Sequence, residues 1–158
     1  MYNKYLDAGV VRSTGGLRMN GIFLRTVLAI IGIVIIWLGL NTAIGGILTL
    51  GWQGPSDFVS ISDSQAFAVQ DNHVRFLGGV WSAVGVFFML TSISPYRYKN
   101  IIFAIIIMIF LGGLFRLTAA DQNLLLGAKI GPSLFAELVL FPLLALWIHH
   151  FTKDAKHA

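Results

Sequence analysis

The chain alternates long apolar stretches with short polar segments, and four of these stretches are long enough to cross a bilayer. They cover about residues 26–48, 74–93, 100–118 and 132–151. A helix needs about 20 residues to cross roughly 30 Å of hydrocarbon. The stretches are too continuous for the alternating pattern of a transmembrane β-barrel. The pattern therefore predicts an all-α integral membrane protein, a four-helix bundle.

The polar segments divide the chain into three parts. We expect an N-terminal arm over residues 1–25, a four-helix domain over residues 26–151 and a tail over residues 152–158. Between the second and third spans, the sequence from Ser94 to Asn100 predicts a tight turn, since Pro95 cannot continue the preceding helix. The second and third spans should therefore form an antiparallel hairpin.

The segment between the first and second spans is about twice as long as a usual connection. Ser62 and Gln65 fit a capping box, with Ser62 as the N-cap. This spacing predicts a short interfacial helix from about Asp63 to Gln70 that leads into the second span. An irregular loop is the alternative for this outer segment.

Basic residues collect on one side of the predicted bundle, which carries both termini and the turn after the second span. Eight lie there, namely Lys4, Arg12, Arg18, Arg25, Arg97, Lys99, Lys153 and Lys156. Only three lie on the opposite side, namely Arg75, Arg116 and Lys129. Because cytoplasmic loops carry an excess of Lys and Arg, we expect both termini to be cytoplasmic.

Composition agrees with this class and disfavours several others. Hydrophobic residues make up 56% of the chain and charged residues only 11%, whereas a soluble domain carries about 25% charged residues. The chain has no cysteine, so disulfides and thiolate metal sites are excluded. His73 is predicted a membrane thickness away from His149 and His150, which disfavours haem or metal ligation. A net charge of +4 is typical of cytoplasmic loops and does not indicate nucleic-acid binding.

Two arginine–glycine motifs mirror one another in the second and third spans. The second span begins RFLGG from Arg75, and the third ends LGGLFR at Arg116. Because the two helices are antiparallel, the reversed order places both arginines at one depth, pointing into the bundle. Small residues allow close helix contact, and those predicted to pack are Gly78, Gly79, Ser82, Gly112 and Gly113.

One polar residue in the first span and one acid in the fourth reach the same depth as these arginines, at 1.5 Å of rise per residue. The predicted polar layer contains Asn41, Arg75, Arg116 and Glu137, and its rim contains Asp71, His73 and Asp121. One carboxylate beside two guanidinium groups leaves one positive charge. The layer would therefore bind an anionic or polar-headed ligand, such as a lipid or quinone, unless a second acid such as Asp121 completes it.

Two structural readings compete with a ligand site. Arginines at span ends can reach lipid phosphates, and an Arg–Glu pair can hold two helices together without binding anything. A membrane enzyme is a third alternative, for example an isomerase of a lipid-like substrate. In that case Glu137 would act as a base or an anchor, because nearby positive charge keeps it ionised.

Three pieces of sequence resemble small four-span bacterial membrane proteins grouped as a domain of unknown function, broadly like the DoxX-type families. They are Asn72-His73-Val74-Arg75 followed by Gly78 and Gly85, then Gly112-Gly113 with Arg116, and Glu137-Leu138. The resemblance covers about residues 26–150. It implies a protein of the bacterial cytoplasmic membrane with no established catalytic activity. Some DoxX-type relatives are similar to subunits of quinone-linked oxidoreductases, but no cofactor ligand or cysteine pair is present here.

These observations predict a non-enzymatic accessory subunit that packs through small-residue helix faces and has no cofactor of its own. Its expected partners are membrane lipid and either other membrane subunits or further copies of the chain. The alternative is a binder or carrier of a lipid-like ligand, a lipid or a quinone, at the polar layer.

Overall fold

The computed structural model of the chain describes residues 4–49, 61–119 and 122–157, and its regular elements are helices. They are α1 (Lys4–Gly45), α2 (Ser64–Ile93), α3 (Pro95–Arg116), a short α4 (Gln122–Leu126), α5 (Gly131–Phe135) and α6 (Phe141–His157). Short 3-10 segments follow α1 at Gly46–Thr49 and α3 at Leu117–Ala119. A π-helical turn, Ala136–Leu140, joins α5 to α6.

Four of the helical segments are long and apolar enough to cross a membrane, which confirms the predicted all-α architecture of four spans. They are Gly21–Thr49, Ser64–Ile93, Pro95–Arg116 and Gly131–Lys153. Each is somewhat displaced from its predicted range, and the second begins ten residues earlier than predicted, at Ser64 rather than at about residue 74. Because α1 is continuous from Lys4, no break marks residue 25, and the division into arm, core and tail stays a prediction.

The start of α2 differs from the predicted interfacial helix. Residues 64–70 are helical, but they are the first turns of α2 itself rather than a separate element. The N-cap is Asp63 instead of Ser62, because its Oδ1 accepts hydrogen bonds from the backbone N–H groups of Gln65 at 2.9 Å and Ala66 at 3.0 Å. This satisfies two of the four N–H groups that have no partner within a helix. Most of the outer segment before residue 61 lies outside the described residues.

The connection between α2 and α3 is tighter than the predicted turn. Ser94 is its single non-helical residue, with φ −147° and ψ 84°. Pro95 opens α3, where its fixed φ suits a helix start and its missing N–H costs nothing. Residues 96–100, predicted as part of the turn, are the first helical residues of α3.

The core lies along the inner faces of all four spans. Its fully buried side chains include Leu24 and Leu28 of α1, Phe88 of α2, Ile102 of α3 and Ile148 of α6. Large apolar side chains also cover much of the outer surface. A water-soluble helix would place polar residues there, whereas lipid is a suitable solvent for such a face.

Glycines allow α1 and α2 to pack closely along their length. A Cβ added at Gly39 would lie 2.8 Å from the carbonyl oxygen of Gly78, and one at Gly85 would lie 2.7 Å from that of Gly32. Side chains larger than hydrogen at these positions would force the two backbones apart. Gly78 and Ser82 therefore lie at the contact between α2 and α1.

Gly79 and Gly112 make no such contact with the described residues, and their packing role stays a prediction. A Cβ at either position would meet nothing within 4 Å, whereas one at Gly113 would lie 2.9 Å from the Cβ of Glu137. The reason is geometric, because consecutive residues of a helix point about 100° apart. One glycine of each Gly-Gly pair faces the neighbouring helix, and the other faces outward.

Candidate functional site

An ion pair on α2 lies against the end of α1. The Arg75 Nε donates to Asp71 Oδ2 at 2.6 Å, one helical turn away. The other carboxylate oxygen of Asp71 accepts from the backbone N–H of Ile47 at 2.7 Å. Arg75 Nη1 donates to the carbonyl oxygens of Ala43 and Ile44 in the last turn of α1. The pair thus satisfies backbone groups that a helix end leaves without partners.

Gly46 ends α1 in a way that leaves room for the Asp71 carboxylate. Gly46 has φ +70°, the left-handed conformation in which helices commonly end. A Cβ at Gly46 would overlap the Asp71 carboxylate, so the glycine also leaves room for the acid. The Asp71–Arg75 pair is therefore explained by capping of α1. The i, i+4 spacing of Asp71 and Arg75 and the Gly45-Gly46 pair were the sequence signals that could have shown it.

A second ion pair joins α3 to the fourth span. Arg116 Nη2 donates to Glu137 Oε1 at 2.9 Å, and Arg116 Nε lies 2.8 Å from Glu137 Oε2. The Glu137 side chain is only 9% exposed, whereas that of Arg116 is 43% exposed. Both carboxylate oxygens of Glu137 are therefore within 3 Å of the Arg116 guanidinium, and Oε2 has almost no accessible surface. Glu137 is thus a buried acid paired with a more exposed arginine.

The backbone around Glu137 is unusual. The Phe141 N–H donates to the carbonyl of Ala136, five residues earlier, which is the bond of a π-helical turn. The next residue, Pro142, has no N–H, and its ring crowds the carbonyl four residues before it. A wider turn before the proline relieves that crowding. Such single π turns occur frequently at functional sites.

Beside this pair, a groove of about 300 Å³ opens between α2 and α3. Its lining comprises Leu77, Val80, Trp81, Val84, Met108, Ile109, Gly112, Arg116 and Glu137. Val84, Ile109 and Glu137 are buried, whereas Leu77 is 56% exposed and Met108 47% exposed. The groove is therefore mostly apolar and open at the outer surface, and among the described residues of its lining the charged ones are Arg116 and Glu137. We call it the α2–α3 groove.

The structure places the predicted layer as follows. Its charged members form two separate ion pairs, Asp71–Arg75 and Arg116–Glu137, rather than one carboxylate between two arginines. Arg75 is paired with Asp71, which was predicted at the rim, and Asp121 lies outside the described residues. Asn41 lies in α1, where its carbonyl accepts from the Thr49 hydroxyl at 3.5 Å. His73 is exposed on α2.

The pairing changes the charge of the site. Each ion pair sums to zero, so the predicted excess of one positive charge is absent from both. Within the described residues, no group of three His, Asp or Glu side chains could hold a metal ion.

Residues 23–148 match the model of one protein family, described as a domain of unknown function (DUF4345). The match covers well over half of the chain and includes both ion pairs. No curated protein and no solved structure matches the chain. The family match confirms the predicted resemblance to a domain of unknown function, and the likeness to the DoxX-type families stays a prediction.

Proposed function

Because the chain belongs to the DUF4345 family, whose function is unknown, we propose a function from its geometry: an integral membrane protein that binds a lipid-like molecule in the α2–α3 groove. The Arg116–Glu137 pair would contact the polar head, and the apolar lining would contact the chain. Lipids and quinones both belong to this class of ligand. We propose that the protein lies in the bacterial cytoplasmic membrane, as its resemblance to small bacterial membrane proteins implies. We further propose that both termini are cytoplasmic, on the basis of its Lys and Arg distribution.

The observation that carries this proposal is the position of Glu137. Charged side chains within membrane spans are costly and mark functional sites by default. The Asp71–Arg75 pair is explained by the end of α1, whereas the Arg116–Glu137 pair joins α3 to the fourth span and also lines the groove. Glu137 is buried and lines the groove together with Arg116, its ion-pair partner. A polar head that enters the groove would contact the exposed part of the Arg116 guanidinium.

The groove's size and walls fit one chain of an amphiphile. A volume of about 300 Å³ lies at the lower end of the roughly 300–1,000 Å³ of small-molecule sites. Exposed Leu77 and Met108 leave its side open, so a molecule could enter laterally from the bilayer. No catalytic step is needed to explain this arrangement, and we propose none.

Two glycines offer a matched test. Gly112 and Gly79 are both exposed, and a Cβ added at either meets nothing within 4 Å among the described residues. Only Gly112 lines the groove. We expect Gly112→Leu to fill the groove and abolish retention of a co-purified amphiphile, measured by native mass spectrometry after gentle extraction. Gly79→Leu, which adds the same side chain outside the groove, should retain the amphiphile.

The proposal fails if Gly112→Leu retains the bound molecule as well as the wild type does. It also fails if wild-type protein, extracted in a mild detergent, retains no amphiphile and binds none that is added.

A second function is favoured by the outward face of α2. Gly79 and Ala83, four residues apart, are both exposed, and small residues at this spacing allow another helix to approach closely. This face would suit an accessory subunit that packs on another membrane protein or on a second copy. Here Gly79→Leu, and not Gly112→Leu, should abolish crosslinking to the partner in native membranes. Unchanged crosslinking in Gly79→Leu would reject this role for the face.

A further inference from the structure

We propose that one end of the bundle is a binding site for the head group of an anionic phospholipid. The site comprises residues 96–99 in the first turns of α3 and Lys153 near the end of α6, and we call it the basic end. It lies at the opposite end of α3 from Arg116, so this inference is independent of the function proposed for the α2–α3 groove.

The two parts of the basic end lie at one depth. Arg116 ends α3 and contacts Glu137 near the start of the fourth span, and α3 packs against α6, so the two helices are antiparallel. Lys99 precedes Arg116 by 17 residues, and Lys153 follows Glu137 by 16. At 1.5 Å per residue, both lysines lie about 24–26 Å from the ion pair.

The two sides of the four-span bundle differ in net charge. The side that carries both termini and Ser94 has eight Lys and Arg residues against two acids, Asp7 and Asp154, and thus a net charge of +6. The opposite side has three Lys and Arg residues against five acids, and thus a net charge of −2. There, Arg75 and Arg116 are each paired with a carboxylate. The described side chains of the basic end include no acid, and an anionic head group at the same depth would supply the counter-charge.

Two tyrosines hold the cations of α3 at the depth of the lipid head groups. The Arg97 guanidinium lies 5.5 Å from the centre of the Tyr98 ring, and Lys99 Nζ lies 5.3 Å from that of Tyr96. Both distances fall within the range of a cation–π contact. Because tyrosine rings concentrate at the interface between membrane and water, these contacts keep each cation beside the head groups. Tyr96 and Arg97 are exposed, so a lipid can reach them.

The cations of the basic end favour a head group with net negative charge. The phosphate of phosphatidylglycerol is not balanced by a positive group, whereas phosphatidylcholine carries a quaternary ammonium that Lys and Arg side chains repel. Each Lys or Arg near a membrane surface contributes about a fivefold gain in affinity for anionic lipid. Arg97, Lys99 and Lys153 together should therefore give a preference of about tenfold or more.

The test compares dioleoylphosphatidylglycerol with dioleoylphosphatidylcholine, which share their acyl chains and the phosphate. Each lipid is titrated into the purified full-length protein in a mild detergent and followed by native mass spectrometry. We expect the anionic lipid to bind about tenfold more tightly or better, with a preference that decreases as salt is added. Inorganic phosphate at the same concentration should not displace the lipid, and displacement would overturn the assignment to a lipid.

Two pairs of variants test the site itself. Lys99→Gln should weaken binding of the anionic lipid about fivefold, whereas Lys129→Gln, the same change on the opposite side, should leave it unchanged. Tyr96→Leu keeps every charge but removes the ring beside Lys99, and should weaken binding about two- to fivefold. Tyr96→Phe keeps the ring and should preserve the affinity.

Equal affinity for the two lipids, or an equal loss in Lys99→Gln and Lys129→Gln, would overturn the inference. Unchanged affinity in Tyr96→Leu would also overturn it, because net charge rather than this site would then determine binding. A preference that is lost in Gly112→Leu would place the anionic lipid in the groove instead, so the two proposals can fail separately.

Discussion

The two neighbouring glycines of α2 allow a stringent test of the helix packing. Gly78 faces α1, whereas Gly79 faces outward, although both occupy the same helix and the same depth. Replacement of each by alanine adds the same methyl group and the same gain in helix propensity, about 0.5–1 kcal/mol. The difference between Gly78→Ala and Gly79→Ala should therefore report the contact with α1 alone.

The structure gives the size of this contact. The new Cβ at Gly78 would lie 2.8 Å from both the Cα of Ala43 and the carbonyl oxygen of Gly39, whereas ordinary contacts begin at about 3.4 Å. These are backbone atoms, so a side-chain rotation cannot relieve the overlap, and α1 must move by at least about 0.6 Å. Such overpacking costs about 1–3 kcal/mol. We expect Gly78→Ala to be less stable than Gly79→Ala by that amount.

Unfolding of both variants and the wild type in one mild detergent, followed by circular dichroism against temperature, measures the difference. The wild type should fall between the two variants or close to Gly79→Ala. Equal unfolding midpoints for the two variants would refute the reasoning, because they would show that α1 does not approach α2 at Gly78.

Three further variants test other contacts by the same unfolding measurement. Gly46→Ala should destabilise by about 1–2 kcal/mol or more, since its left-handed backbone disfavours a side chain and the methyl group would overlap the acid that caps α1; a neutral effect would contradict this. Arg116→Ala should lower the free energy of unfolding by about 1–3 kcal/mol, because it leaves Glu137 unpaired. The double variant Arg116→Ala/Glu137→Leu should recover stability. A further loss in the double variant would show that the carboxylate is stabilising without its partner. Asp63→Ala should lower the free energy of unfolding by about 0.5–2 kcal/mol, because it removes an N-cap, whereas Ser62→Ala should leave it unchanged. The reverse order would support the capping box at Ser62.

The four spans could be predicted because they depend on length and polarity alone. The ends of the helices could be predicted less well from the sequence. In the sequence, Pro95 indicates the end of one helix, although the same residue type also favours the first position of the next. Asp63 and Ser62 are both good N-caps, and the sequence does not show which one the backbone uses.

The pairing of charges could not be obtained by counting residues. A rise of 1.5 Å per residue gives the depth of Arg75, Arg116 and Glu137, and depth was the basis of the predicted layer. Which acid faces which arginine depends instead on the rotation of each helix about its axis. The π-helical turn at Ala136–Leu140 alters that rotation within the fourth span, and no simple periodicity reveals it.

The single-residue connection at Ser94 gives α2 and α3 a common starting point, so their lengths show how far each helix extends from it. Both arms start from this point, but α2 has 30 residues and α3 has 22. At 1.5 Å per residue, they extend for about 45 Å and about 33 Å. The length of α3 matches a hydrocarbon layer of about 30 Å, and α2 is longer than α3 by about 12 Å. Its excess comprises residues 64–71 and ends at the acid that caps α1. With α3 spanning the layer, we expect the contact between Asp71 and Ile47 at the end of α1 to lie at the headgroup level. The bilayer's thickness would then be matched by α3 rather than by the longer α2.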